Sequence, residues 1–319
     1  MKVHTLNIDS SQRQSNVYLY ANTYVIRLEN PIYDVSQVKL VSARIPTPQL
    51  TTCATNKSFS VDGTVISLDE TNYSSGTELA SDLTLKLAPP ESNVDSVVFD
   101  TDTNGLVFSN TIAGDNDFTF EFHDGTNGYT STSSSVTTPH QILGFGSIDH
   151  ASTNKVLRSG AINLEGPNSL VLKVTSGSDG FDQDVYTSTP FYTGHILLNG
   201  SDVINFNGVD DPLVHHFHSG SQKFIKELTI EFFYMSHGRL IPYDFRNQDH
   251  LLKFEVTCST DKLENLTKVE VDKVLPKEEK SLISIPKELK NPYNREVFIY
   301  IGVITFLGIL LISFMKKRV

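Results

Sequence analysis

Two cysteines, three methionines and no tryptophan stand among the 319 residues of this chain. Cys53 and Cys258 lie far apart, so the sequence builds neither a disulfide framework nor a cysteine-based metal cluster. The first fifteen residues, MKVHTLNIDSSQRQS, lack the apolar run of a secretory signal, and the sequons at Asn56, Asn72, Asn199 and Asn265 are therefore expected to stay unmodified. No Gly-x-Ser-x-Gly elbow, phosphate-cradling glycine loop, His-Glu-x-x-His helix or Cys-x-x-Cys pair occurs. No catalytic, cofactor-binding or metal-ligating residue is assigned, and the chain is expected not to be an enzyme.

Basic residues are also scarce, 26 against 37 acidic ones, for a formal charge of -11. Residues 286–319 hold six basic and two acidic residues, which leaves -15 on residues 1–285. Nucleic-acid affinity comes largely from Lys and Arg displacing counterions from phosphates, so no nucleic-acid partner is expected for the body.

What the chain does have is one long apolar run. Residues Val297 to Met315 carry no charge over nineteen positions, roughly 28 Å of helix at ~1.5 Å per residue, close to the ~30 Å hydrocarbon core of a bilayer. The run is apolar all round and bracketed by Arg295 and by Lys316, Lys317 and Arg318, which predicts a transmembrane anchor through Val297, Phe298, Ile301, Phe306, Leu310 and Met315. The positive-inside rule would keep the basic tail, 316–319, in the cytoplasm. Moving four residues across a membrane is far easier than moving the body, so the body is expected to be cytosolic and the tail to cross. Residues 261–294 hold fourteen charges and three prolines and read as a tether that, fully extended, reaches on the order of 110 Å.

Between Val3 and Cys258 apolar residues recur with period two, bounded by Gly, Asn, Asp and Ser. Tyr24–Leu28, Val38–Val41, Phe118–Phe122, Leu170–Val174, Leu228–Phe232 and Leu252–Val256 are examples. Many short strands without a long helix after each predict an all-β, jelly-roll-like antiparallel β-sandwich, one large or two small, over residues 17–260, preceded by an N-terminal arm, 1–16. Two short helices interrupt it. Ser75 to Glu78 has capping-box spacing with Leu79, Leu83 and Leu87 on one face and Pro89-Pro90 beyond, and Thr138-Pro139 opens the second.

Two groups invite an ion. Asp100 to Gly105 copies the first half of a calcium loop, but position twelve is Thr111 where glutamate is required, and the flanking alternation makes a β-hairpin the better reading. In His215-His216-Phe217-His218 a strand would put His216 and His218 on one face and His215 on the other, so at most two could meet one metal without help from His195, His237 or His250.

An ordered series resembles minor capsid proteins of large icosahedral nucleocytoplasmic DNA viruses, the chlorovirus and mimivirus type. It runs from Ile8-Asp9-Ser10 with Arg13, through Tyr24-x-Ile26-x-Leu28 and Ser42-Ala43-Arg44-Ile45-Pro46, to Asn72-Tyr73 and Ile142-Leu143-Gly144-Phe145. It continues with Gly238-Arg239-Leu240, Tyr243-Asp244-Phe245 and Asp249-His250. The resemblance implies a β-sandwich beneath the outer capsomers with no catalytic residues. Its partners would be the major capsid protein, other minor capsid proteins and, through the C-terminal span, the lipid bilayer inside the virion. The competing reading is a membrane-tethered β-sandwich for glycan binding or adhesion.

Overall fold

The computed structural model describes residues 2–112, 116–130, 135–176, 179–180, 194–217, 223–259 and 302–307. Two compact units are present, Met1–Thr260 and Asp261–Val319. The strands of the first unit, in chain order, begin with β1 (Lys2–Asp9), β2 (Thr23–Pro46), β3 (Ser58–Val61) and β4 (Thr64–Ser67), after which comes the helix α1 (Gly76–Leu87). Then follow β5 (Ser96–Asp100), β6 (Gly105–Ser109), β7 (Thr119–Glu121), β8 (His150–Ala151), β9 (Val156–Ala161) and β10 (Ser169–Ser176). The last are β11 (Asp179–Gly180), β12 (Gly194–Leu197), β13 (Val203–Asn207), β14 (Leu213–His216), β15 (Lys223–Ser236), β16 (Arg239–Pro242) and β17 (Leu251–Cys258).

These strands make a mostly antiparallel β architecture of three sheets. Ten strands form the largest, in the order β1-β17-β2-β15-β10-β11, with β12 on β10, β13 and β14 on β2, and β16 on β15. β4-β3-β7-β8 and β5-β6-β9 form the two small ones. The 24-residue β2 organises the large sheet. Its start pairs with β15 and its end with β13 and β14, while β17 runs along the other side from Val35 to Arg44. Register shifts near Ile32 and the positive φ of Asp34, 57°, interrupt the ladder of β2 with β15, as a bulge does.

Each sheet system buries its own core. The large sheet encloses Tyr24, Leu40, Ile45, Leu172, Ile230, Phe232 and Phe254, and the small sheets with α1 enclose a second cluster rich in phenylalanine. Phe59, Phe108, Phe120, Phe122 and Phe145 meet there with centroids 4.8–5.9 Å apart, in edge-on, tilted and stacked pairs. α1 forms as its capping residues dictate: the Ser75 hydroxyl accepts the Glu78 N–H, while Leu79, Leu83 and Leu87 are buried. The Glu78 carboxylate reaches one residue further back than a capping box, to the N–H and hydroxyl of Ser74. The second predicted helix is a 3-10 turn, Pro139–Gln141.

Residues read from sequence as an arm are placed differently. Lys2–Asp9 pair with β17 over all eight positions, from Lys2 opposite Cys258 to Asp9 opposite Leu251. Ile8 is buried and Leu6 half-buried against the large core, which holds the segment in the sheet.

In the second unit residues 302–307, including Phe306, are helical and exposed. Among the described residues no helix is long and apolar enough to cross a membrane. Val297, Phe298, Ile301, Leu310, Met315, Lys316, Lys317 and Arg318 lie outside the described residues, as does the tether.

Candidate functional site

Segments that are 240 residues apart in sequence meet at one corner of the large sheet. The turn after β1 lies against the residues that open β17: Ser10 N–H donates to the His250 carbonyl at 3.0 Å, and His250 N–H donates to Ser10 Oγ at 2.9 Å. Ser10 Oγ in turn donates to Asp249 Oδ1 at 2.8 Å. Arg13 grips the same carboxylate and also donates to the carbonyls of Ser10, Tyr18 and Leu19. Its side chain is only 11% exposed, and a guanidinium's rigid fork suits four acceptors where a lysine would not.

Beneath that latch His250 is buried among Phe232, Phe245 and Tyr24, with its Nε2 2.8 Å from the Tyr24 hydroxyl. Burial holds the imidazole pKa down to about 3 and pushes the Tyr24 phenol up, so both groups are neutral at physiological pH. Ser10, Arg13, Tyr24, Asp249 and His250 all belong to the series that carries the family resemblance, and here they serve one contact.

A second junction joins the two cores. The hairpin between β15 and β16 turns on His237 and Gly238, both with positive φ, 44° and 83°, the geometry of a type I′ turn. Its tip meets the loop before β8. His237 Nδ1 lies 2.7 Å from His140 Nε2, and Tyr129 hydrogen bonds both the carbonyl and the hydroxyl of Ser236 at 2.9 Å. The Arg239 guanidinium lies 4.3 Å from the Tyr129 ring centroid and donates to the carbonyls of Asn127, Gly128 and Val136. His140 is fully buried, and burial first, then His237, lowers its pKa to about 4.

Other members of the series are also packing residues. Asn72 Oδ1 accepts the Thr51 N–H at 2.7 Å, the Tyr73 hydroxyl donates to Asp82 at 2.6 Å, and Tyr243 and Phe245 are buried. Gly144 has φ +78°, and a Cβ there would overlap the Gly160 carbonyl oxygen.

The residues flagged for ions are placed as hydrogen-bonding groups. Asp100 to Gly105 closes the β5–β6 hairpin, with Asn104 at φ 52° and Asp100 Oδ1 accepting the Asp102 N–H at 3.0 Å. His215 and His216 sit opposite Val38 and Gln37 on β2, while His218 lies outside the described residues. Sequence reasoning did not single out His123, Asp124 and Asp149, whose ligand atoms lie within 4.8 Å of one another. Internal hydrogen bonds account for that grouping: Asp149 Oδ1 accepts the N–H groups of His123 and Asp124, and His123 Nδ1 lies 2.8 Å from Asp124 Oδ1.

A crevice of about 730 Å³ is lined by amides, including Gln49, Asn72, Asn168 and Asn199, with the carboxylates of Glu165 and Asp202. No histidine, lysine or cysteine lines it, and its one ring, Tyr243, is 1% exposed and offers no face for stacking.

No family model matches the chain, and no curated protein matches it. In structure the chain is similar to the selenomethionine-labelled mavirus penton protein, at 12% identity and a TM-score of 0.33 over 80% of this chain and 99% of that one. It is also similar to a chain of the Sputnik virophage structure determined by cryo-EM at 3.5 Å, at 9% identity and a TM-score of 0.32 over 80% of this chain and 98% of that one. Likenesses this loose carry no weight for function.

Proposed function

We infer that this chain is a structural minor capsid protein that ties an icosahedral shell to a membrane within the virion. Its jelly-roll-like body would lie between capsid and lipid, linked by the charged tether to a single-pass anchor at 297–315. The observation that carries this reading is the latch. Residues near both ends of the resemblance series, Ser10, Arg13 and Tyr24 with Asp249 and His250, converge on one contact, so residues that carry the resemblance also hold this fold together.

The mechanism needs no bond-making chemistry. Many copies held on one bilayer and docked to a symmetric shell bind at high effective concentration, so weak individual contacts suffice. Fractionation of purified particles tests it. The protein is expected inside the particle, resistant to salt extraction and shielded from added protease until the shell is opened. Recovery from host membranes alone would overturn the assignment.

A further inference from the structure

Unpaired backbone groups along a sheet edge form a template for another strand, and proteins usually blunt such edges with proline, bulges, inward charges or very short strands. Among the described residues β1 pairs only with β17, and its other side has no described strand partner over eight residues. The remaining edge strands are shorter: six residues in β9, five in β5 and β13, and four in β4 and β12.

β1 carries none of the protections. It has no proline, its register with β17 is unbroken, its core-facing side chains include Leu6 and Ile8, and its two charges stand at its ends, Lys2 and Asp9. β2 shows the contrast. Residues 23–33 have no described strand partner on the side away from β15, but that stretch holds Arg27, Glu29, Pro31 and a register shift.

Charge tells which occupant fits. Residues 47–168 hold fifteen acidic and four basic residues, a net -11, whereas the rest of 1–260 holds fourteen acidic and eleven basic, only -3. On β1 and β17 together Lys2 and Lys253 balance Asp9 and Glu255. The open edge thus lies on the nearly neutral half, where two copies approach with little repulsion. Antiparallel pairing of β1 with itself brings Lys2 of each copy to the end that holds Asp9 of the other, whereas parallel pairing would set like charges together.

We propose that β1 is a self-docking edge: a second copy adds its own β1 antiparallel, Leu6 opposite Leu6, joining two ten-stranded sheets across a two-fold axis. This register keeps side chains of one face together, as the axis demands. It covers the half-buried Leu6 pair, sets His4 opposite Ile8 on the core face, and sets Thr5 opposite Asn7 in solvent. The proposal stands apart from the capsid reading.

The full chain in detergent micelles provides the test, with protein mass measured by analytical ultracentrifugation at tens of micromolar. The wild-type chain is expected as a dimer. Thr5→Lys/Asn7→Lys places lysine opposite lysine twice at exposed positions and is expected to halve the mass without lowering the melting temperature. Independently, Leu6→Cys is expected to cross-link the two copies on oxidation, while Val3→Cys, opposite Asp9, is not; native Cys53 and Cys258 are buried. A monomeric wild type overturns the proposal. So does a dimer that ignores both lysines, or one in which Leu6→Cys fails to link.

Discussion

Arg13 concentrates more of the fold than any other single side chain in the latch. Arg13→Ala leaves the Asp249 carboxylate with the Ser10 hydroxyl as its donor, takes the guanidinium from three carbonyls, and is expected to cost about 2–3 kcal/mol, measured by chemical denaturation. Arg13→Lys is expected to recover less than half, since an ammonium cannot reproduce the fork. The buried histidines set a pH dependence whose sign is fixed. His140 and His250 have folded pKa values of about 4 and about 3, below the ordinary 6.5, so the folded state prefers them neutral. Their contribution is full above pH 6.5 and is lost as pH falls toward 4 and 3. For His140 the loss is on the order of 3 kcal/mol by pH 4. Unfolding free energy measured from pH 7 to 4 should fall accordingly, and His140→Gln should flatten part of that slope. Gly144→Ala, forced into positive φ against the Gly160 carbonyl, should cost more than about 2 kcal/mol.

Among the elements, β1 separates two views of the N-terminus. Removing a free arm would change nothing, but removing Lys2–Asp9 strips β17 of a partner and uncovers the core beside Ile8. A fall of roughly 10 °C in melting temperature is expected, from about 3–4 kcal/mol of lost burial at 2–4 °C per kcal/mol. The sequence pattern was informative for strands in which apolar residues alternate over five positions, such as Leu170–Val174 and Leu252–Val256, and for α1, whose cap and leucine stripe are local. β1 was overlooked although His4, Leu6 and Ile8 alternate, because its outer face is polar and its partner, Leu251 to Cys258, lies 242 to 256 residues away. The Asp62-Gly63 turn joining β3 to β4, with φ 48° and 80°, is a hairpin signal that went unread. The members of the latch were each visible as motif fragments. Their meeting was not, since nothing local to Ser10 encodes Asp249. The same holds for His140, in the turn before β8, and His237, at the tip of the β15–β16 hairpin, which lie 2.7 Å apart.

At the scale of the molecule the apolar terminus defines the behaviour to be expected of the chain. A version ending at Glu296 should remain in the aqueous phase on detergent phase separation while the full chain enters the detergent phase; equal partitioning of both would remove the anchor from the account. The way the polypeptide leaves the body matters for such an attachment. β17 is an interior strand, laddered to β1 on one side and to β2 on the other, and the chain departs from its end at Ser259, whose N–H is held by the Asp34 carbonyl at 2.8 Å. A pull exerted along the axis of β17 would slide it lengthwise against two hydrogen-bonded neighbours simultaneously, loading many bonds in shear together. An exit from an edge strand would let them peel apart one at a time.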